Sequence, residues 1–167
     1  MSERYEPSSE FLQAIIADDM PLSGGEFGDA NLRRLIQMTR DQESANRDWA
    51  TFLLAQADID TKAVRDALLQ AAKDDLGVIR GEAILGLASR NSNLALPLVQ
   101  AALSADTVVI SILEAAALCA HPSLVEGLRR WTKPSRHSQA DERATDALKA
   151  CEGQASPATV KAIQDST

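Results

Sequence analysis

Three short stretches of this chain repeat one another: Leu35-Ile36-Gln37, Leu68-Leu69-Gln70 and Leu98-Val99-Gln100, set 33 and then 30 residues apart. Each opens a helical run and is followed, after a polar break, by a second run rich in Ala and Leu. A helix pair recurring every 30 to 45 residues or so is the mark of a helical solenoid, in which no unit shelters its apolar flank without a neighbour. Such a chain presents a surface rather than enclosing a reaction centre. The repeat therefore points to binding, without naming what is bound.

Composition agrees. The chain has 167 residues, one domain's worth, and is 45% hydrophobic but only 4% aromatic. Packing falls to Ala, Leu, Ile and Val, and Ala carries the lowest helical penalty of any residue. The expectation is an all-α protein, an α-α superhelix of about four helix pairs with added terminal helices. It forms one domain over 1–167: a capping helix and loop in 1–30, repeats over 31–131, and C-terminal helices over 140–165.

The clearest alignment sets Arg47-Asp48-Trp49-Ala50-Thr51-Phe52-Leu53-Leu54-Ala55 over Arg80-Gly81-Glu82-Ala83-Ile84-Leu85-Gly86-Leu87-Ala88. A third copy, Ile110 to Leu118, places Glu114 and Ala115 under Glu82 and Ala83 but has Ile112 where the arginine should be. Spacing predicts first helices over 31–40, 61–73, 93–104 and 122–131, and second helices over 44–57, 76–90, 107–120 and 140–151. The stripe Ile79, Ala83 and Leu87, with Ala50, Leu54, Ala115 and Cys119 as counterparts, faces the core.

Asp60 or Thr61, and Asn93, are the expected caps. Asp74-Asp75 and Asp106 mark turns, and Pro97 falls in the first turn of its helix, where a missing N–H costs little. Ser8-Ser9-Glu10 leads into an amphipathic helix over 9–18, read as a lid on the stack or, alternatively, as an arm that docks elsewhere. Pro21, Gly24, Gly25 and Gly28 make 18–29 a loop, and Ser156-Pro157 opens a last helix over 157–165.

The net charge is −7. That opposes nonspecific nucleic-acid binding, which depends on Lys and Arg displacing counterions, and attraction to anionic membranes. No apolar run reaches the roughly 18 residues of a bilayer span. Cys119 and Cys151 form no Cys-x-x-Cys pair and read as free thiols in a reducing cytoplasm. No Walker loop, nucleophile elbow or dinucleotide-binding glycine pattern occurs, and the two histidines stand apart from clustered metal ligands. The chain is expected to be no enzyme, with no catalytic residue, metal or cofactor.

The runs Asn46-Arg47-Asp48-Trp49-Ala50-Thr51-Phe52 and Ile79-Arg80-Gly81-Glu82-Ala83-Ile84-Leu85 resemble the HEAT-like repeats, including those of bilin-lyase type, common in bacterial proteins. In those repeats a turn aspartate precedes a Val-Arg-x-x-Ala core. Ile79-Arg80-x-x-Ala83 fits, Asn46-Arg47-x-x-Ala50 fits except for its polar first position, and Ile112 breaks the third. The resemblance covers about residues 30–131. It implies stacked helix pairs with the second helices lining a concave side, and a role as scaffold or adaptor. A catalytic or bilin-handling relative and a structural subunit of a larger assembly are the alternatives it leaves open.

Two surfaces stand out. On the expected concave face lie Arg47, Asp48, Trp49 and Phe52, then Arg80, Glu82 and Leu85, then Glu114. Trp and Arg are common binding anchors. Arg47 and Arg80 also suit a structural ladder to Asp41, Asp74 or Asp75, and Trp49 suits either a helix junction or a groove. The expected occupant is a protein segment, basic to match the acidic chain. The second surface is Arg129, Arg130, Trp131, Lys133 and Arg136, with His137, a basic stretch that is either an anion contact or a solvated loop over a tucked Trp131.

Overall fold

A computed structural model describes residues 5–153 of the chain. The fold is all-α, of the helical-repeat kind, and no strand occurs among the described residues. The chain divides into two compact units, 1–86 and 87–167. In the first, α1 (Glu10–Ile16), α2 (Gly25–Met38), α3 (Ser44–Gln56) and α4 (Lys62–Ala71) follow one another, and α5 (Gly77–Arg90) runs on into the second. The second holds α6 (Ser92–Leu103), α7 (Ile110–Cys119), a 3-10 turn over Pro122–Leu124, α8 (Val125–Arg129) and α9 (Ser138–Gly153). The helix expected over 157–165 lies outside the described residues.

The predicted stripes form the cores. Ala50, Leu54, Ile79, Ala83, Leu87 and Ala115 have no exposed surface. Each buried Leu or Ile contributes about 1.5–3 kcal/mol, and the alanines let helices come close. Two helices meet closely at Gly86, where an added Cβ would stand 2.7 Å from the Ala55 Cβ and 2.9 Å from its Cα. Helix α3 packs against α1, α2 and α4, and α7 packs against α6 and α9.

The turns repeat as faithfully as the helices. Asp41 accepts from the Glu43 N–H at 2.9 Å, and Asp74 accepts from the Leu76 N–H at 3.0 Å. Arg47 donates to the carbonyls of Asp41 and Gln42, both at 3.2 Å, while Arg80 donates to those of Asp74 at 2.7 Å and Asp75 at 2.9 Å. Arg47 also reaches forward to the Asp74 carboxylate at 2.8 Å, linking one repeat to the next. Burial pushes the Asp74 carboxyl up, but the Arg47 hydrogen bond, the Leu76 N–H and the charges of Arg47 and Arg80 outweigh it and hold it below the ordinary value. The same hydrogen bond to Asp74 holds the Arg47 guanidinium above its ordinary value. In the third copy Ile112 is buried, so that rung is replaced by apolar packing.

Several boundaries differ from expectation for local reasons. The loop predicted over 18–29 ends at Gly24, and α2 takes in Gly25 and Gly28. The chain doubles back so tightly there that a Cβ on Gly28 would stand 2.5 Å from the Ser23 carbonyl carbon. Helix α6 is capped by Asn91, whose side chain accepts from the Leu94 N–H, and not by Asn93. Starting at Ser92 leaves Pro97 inside the helix, past its first turn. Thr61 caps α4 and Ser9 caps α1. The segment 122–131 divides into the 3-10 turn and the five residues of α8.

Candidate functional site

Helix α3 turns Asp48, Trp49 and Phe52 toward its partly exposed flank, because Ala50 and Leu54 claim the buried one. Across that flank the chain lays its own segment Tyr5–Ser9. The Trp49 indole N–H donates to the Tyr5 carbonyl at 2.7 Å, and the Tyr5 hydroxyl donates to the Asp48 carboxylate. The Ser8 hydroxyl donates to Glu43. Asn46, buried, accepts from the Ser9 N–H at 3.2 Å and donates to the Ser8 hydroxyl at 3.2 Å and to Asp41 at 3.3 Å. Helix α1 then buries Phe11, Leu12 and Ile15 and packs on α3.

Beside the strap lies a cavity of about 190 Å³ lined by Tyr5, Asp48, Trp49, Phe52, Val78 and Glu82. The Trp49 and Phe52 rings meet edge to face at 5.9 Å. A second cavity, of about 350 Å³, is lined by Glu6, Pro7, Gln13, Ile16, Ala17 and Trp49. Trp49 is therefore a shared wall of two cavities and not a side chain sealed into a helix junction.

Four residues singled out in the sequence meet at the first cavity: Asp48, Trp49, Phe52 and Glu82. Arg47 and Arg80 are instead engaged in the turn ladder. Leu85 is half-buried and outside the cavity lining. Glu114 belongs to the second unit, where its carboxylate pairs with Arg143 of α9 at 3.3 Å. Tyr5 and Val78 are the lining residues that sequence reasoning missed. Tyr5 lies in a segment with no periodicity, and Val78 was passed over for the core position beside it.

In the basic stretch, the Trp131 indole N–H donates to the Leu103 carbonyl at 3.0 Å, and the Arg130 guanidinium covers the ring at 4.7 Å. Arg129 pairs with Glu126 at 3.6 Å, while Lys133 and Arg136 are exposed. The loop is closed by Asp141, which accepts from the Ser135 N–H and hydroxyl, both at 2.7 Å. Those two bonds, with the charge of His137, hold the Asp141 carboxyl below its ordinary value against a small opposing effect of burial.

The thiols are poorly placed for chemistry. Cys119, half-buried rather than buried, is pushed up to about 11 by burial and by the neighbouring Cys151. Cys151 is buried and is likewise raised, first by burial. The nucleophilic thiolate is scarce at such values. Among the described residues, no group of three His, Cys, Asp or Glu side chains is placed to hold a metal ion, and no helix is long and apolar enough to cross a membrane.

Fold and site together define an all-α repeat protein with a helix flank crossed by a non-helical segment. No protein-family model matches the chain, and no curated protein matches it. It is similar to the X-ray structure of Escherichia coli YibA, a structural genomics target, with a TM-score of 0.58 and 28% identity over 72% of this chain and 44% of YibA. The chain thus spans less than half of that protein's length.

Proposed function

We propose that this protein is a non-catalytic interaction module of HEAT-like type, a cytoplasmic adaptor or scaffold. It holds an extended, basic segment of a partner protein across α3 and the first turns of α5. One observation carries the proposal. The flank of α3 already binds a non-helical segment, the chain's own Tyr5–Ser9, through a backbone carbonyl, a backbone N–H and two hydroxyls. Side-chain donors and acceptors that read backbone groups suit an extended peptide of varied sequence, as in other peptide-binding modes. Asp48 and Glu82 beside the strap, in a chain of net charge −7, favour a basic one.

Peptides selected from a random displayed library should be rich in Lys and Arg and should compete with one another for one site. Trp49→Ala and Glu82→Arg should each weaken them about tenfold or more while helical circular dichroism stays unchanged. Peptides that bind both variants as tightly as the parent exclude this face.

A further inference from the structure

Resting on that reading, we infer that Tyr5–Ser9 is an autoinhibitory strap, which a partner's segment must displace from α3 in order to bind. The groups that would read a partner's backbone are engaged by the chain itself. The Trp49 indole N–H donates to the Tyr5 carbonyl, and the Asn46 side chain accepts from the Ser9 N–H. Asp48, and Glu43 just before α3, accept from the hydroxyls of Tyr5 and Ser8. An indole has a single N–H to give. A segment read by these groups therefore competes with Tyr5–Ser9 and does not lie over it.

The strap is built to leave and return. Tyr5, Glu6 and Ser8 are exposed, Ser9 is half-buried, and Pro7 alone is buried. Its ties are polar and face water, which replaces such bonds at small net cost. Helix α1 behind it is anchored differently. Phe11, Leu12 and Ile15 are buried, α1 packs on α3, and the Arg34 guanidinium covers the Phe11 ring at 4.2 Å. The two parts join at Ser9, the N-cap of α1, so the strap lifts while its anchor stays. A tether this short keeps the lifted strap concentrated at its own site. The exchange also favours a basic partner. The strap meets the carboxylates of Glu43 and Asp48 with neutral hydroxyls, and Glu6, the one charged residue of Tyr5–Ser9, has the sign of those carboxylates. A Lys or Arg makes stronger, charge-assisted bonds to the same groups.

The test uses the full 15N-labelled chain and the peptides selected from the displayed library. As a peptide saturates the parent chain, the Ser8 and Ser9 amide resonances should move to disordered-chain positions and the Ser9 N–H should exchange faster. Leu12 and Ile15 should keep their protection. A strap seated about four-fifths of the time weakens apparent affinity about fivefold, so loosening it with Tyr5→Phe and Ser8→Ala together should tighten peptide binding by about that factor. Gln13→Ala removes the side-chain bond to the Pro7 carbonyl at 2.8 Å without touching α3, and should tighten binding about twofold.

The outcomes separate this inference from the wider reading. If peptides are lost on Trp49→Ala, yet Ser8 and Ser9 keep their resonances at saturation and the loosened chains bind no more tightly, the strap is not inhibitory and the peptide-binding face stands. If no peptide depends on Trp49, both fall. Release of Ser8 and Ser9 at saturation, with tighter binding by both loosened chains, bears the inference out.

Discussion

Helices α3 and α5 share one internal pattern, yet their first turns do different work. Arg47 and Arg80 stand 33 positions apart and make the same bonds to the carbonyls of the preceding turn. Just before them, Asn46 in α3 corresponds to Ile79 in α5, and both are buried. Ile79 closes the core by transfer from water alone. Asn46 occupies the equivalent place as a polar hub for Ser8, Ser9 and Asp41, and so gives the first repeat something to hold the N-terminal segment with. The end repeat has exchanged apolar burial for directional bonds to a strap. One position thus distinguishes an interior helix from one that receives a segment laid over it.

The largest test of this contrast is Ile79→Asn. It removes a fully buried aliphatic side chain and introduces an amide whose partners in α3, Ser8 and Ser9, belong to the strap. Lost transfer and cavity terms, together with a desolvated amide, should cost about 3–5 kcal/mol in urea unfolding at 25 °C. A loss below about 1 kcal/mol would mean that the first position is not a core position in α5, and the comparison would break.

Next is the rung between the two repeats. Asp74→Ala deprives Arg47 of its carboxylate and the Leu76 N–H of its cap, and should cost about 2–3 kcal/mol. Asp41→Ala, whose lost partners are the neutral Glu43 N–H and Asn46 amide, should cost about 1 kcal/mol. Equal losses would show that the forward link from Arg47 adds nothing. Acidity gives a second measure. Asp74 titrates lower in the folded chain than in the unfolded one, so its contribution is complete above about pH 4 and is lost as the pH falls through the folded value. Asp74→Asn should therefore flatten the acid limb of the stability curve.

Much of this contrast was legible in the residues and part was not. The all-α architecture and the buried stripes follow from 3.6-residue spacing, a signal each helix carries within itself. The ladder was visible as a recurring arginine and turn aspartate. The strap was not, because Tyr5 and Ser8 find their partners 35 to 44 positions away and belong to no periodic run. Asn46, the hub of that contact, looked from sequence like a defect in an apolar pattern. Glu114 aligned with Glu82 by repeat position, but repeat position does not fix the partner, and α9 supplies Arg143. Trp49 was identified as notable, although its place as a wall between two cavities depends on the same unforeseen strap.

The smallest effect is the most discriminating. Asn46→Val restores the apolar first position of α5 to α3 and leaves the Ser9 N–H without its acceptor. Regained apolar burial offsets part of the lost hydrogen bonds, so global stability should fall by only about 1 kcal/mol. If Asn46 serves the strap, the change will be local: amide exchange should quicken across residues 5–16 while α2 and α4 keep the protection of the parent, as expected when one unit opens by itself. Trp49 should lose its carbonyl partner at Tyr5 for a larger fraction of the time, and its fluorescence should shift to the red. Uniformly faster exchange through the whole first unit would instead make Asn46 an ordinary core residue, and the difference between α3 and α5 would be one of packing alone.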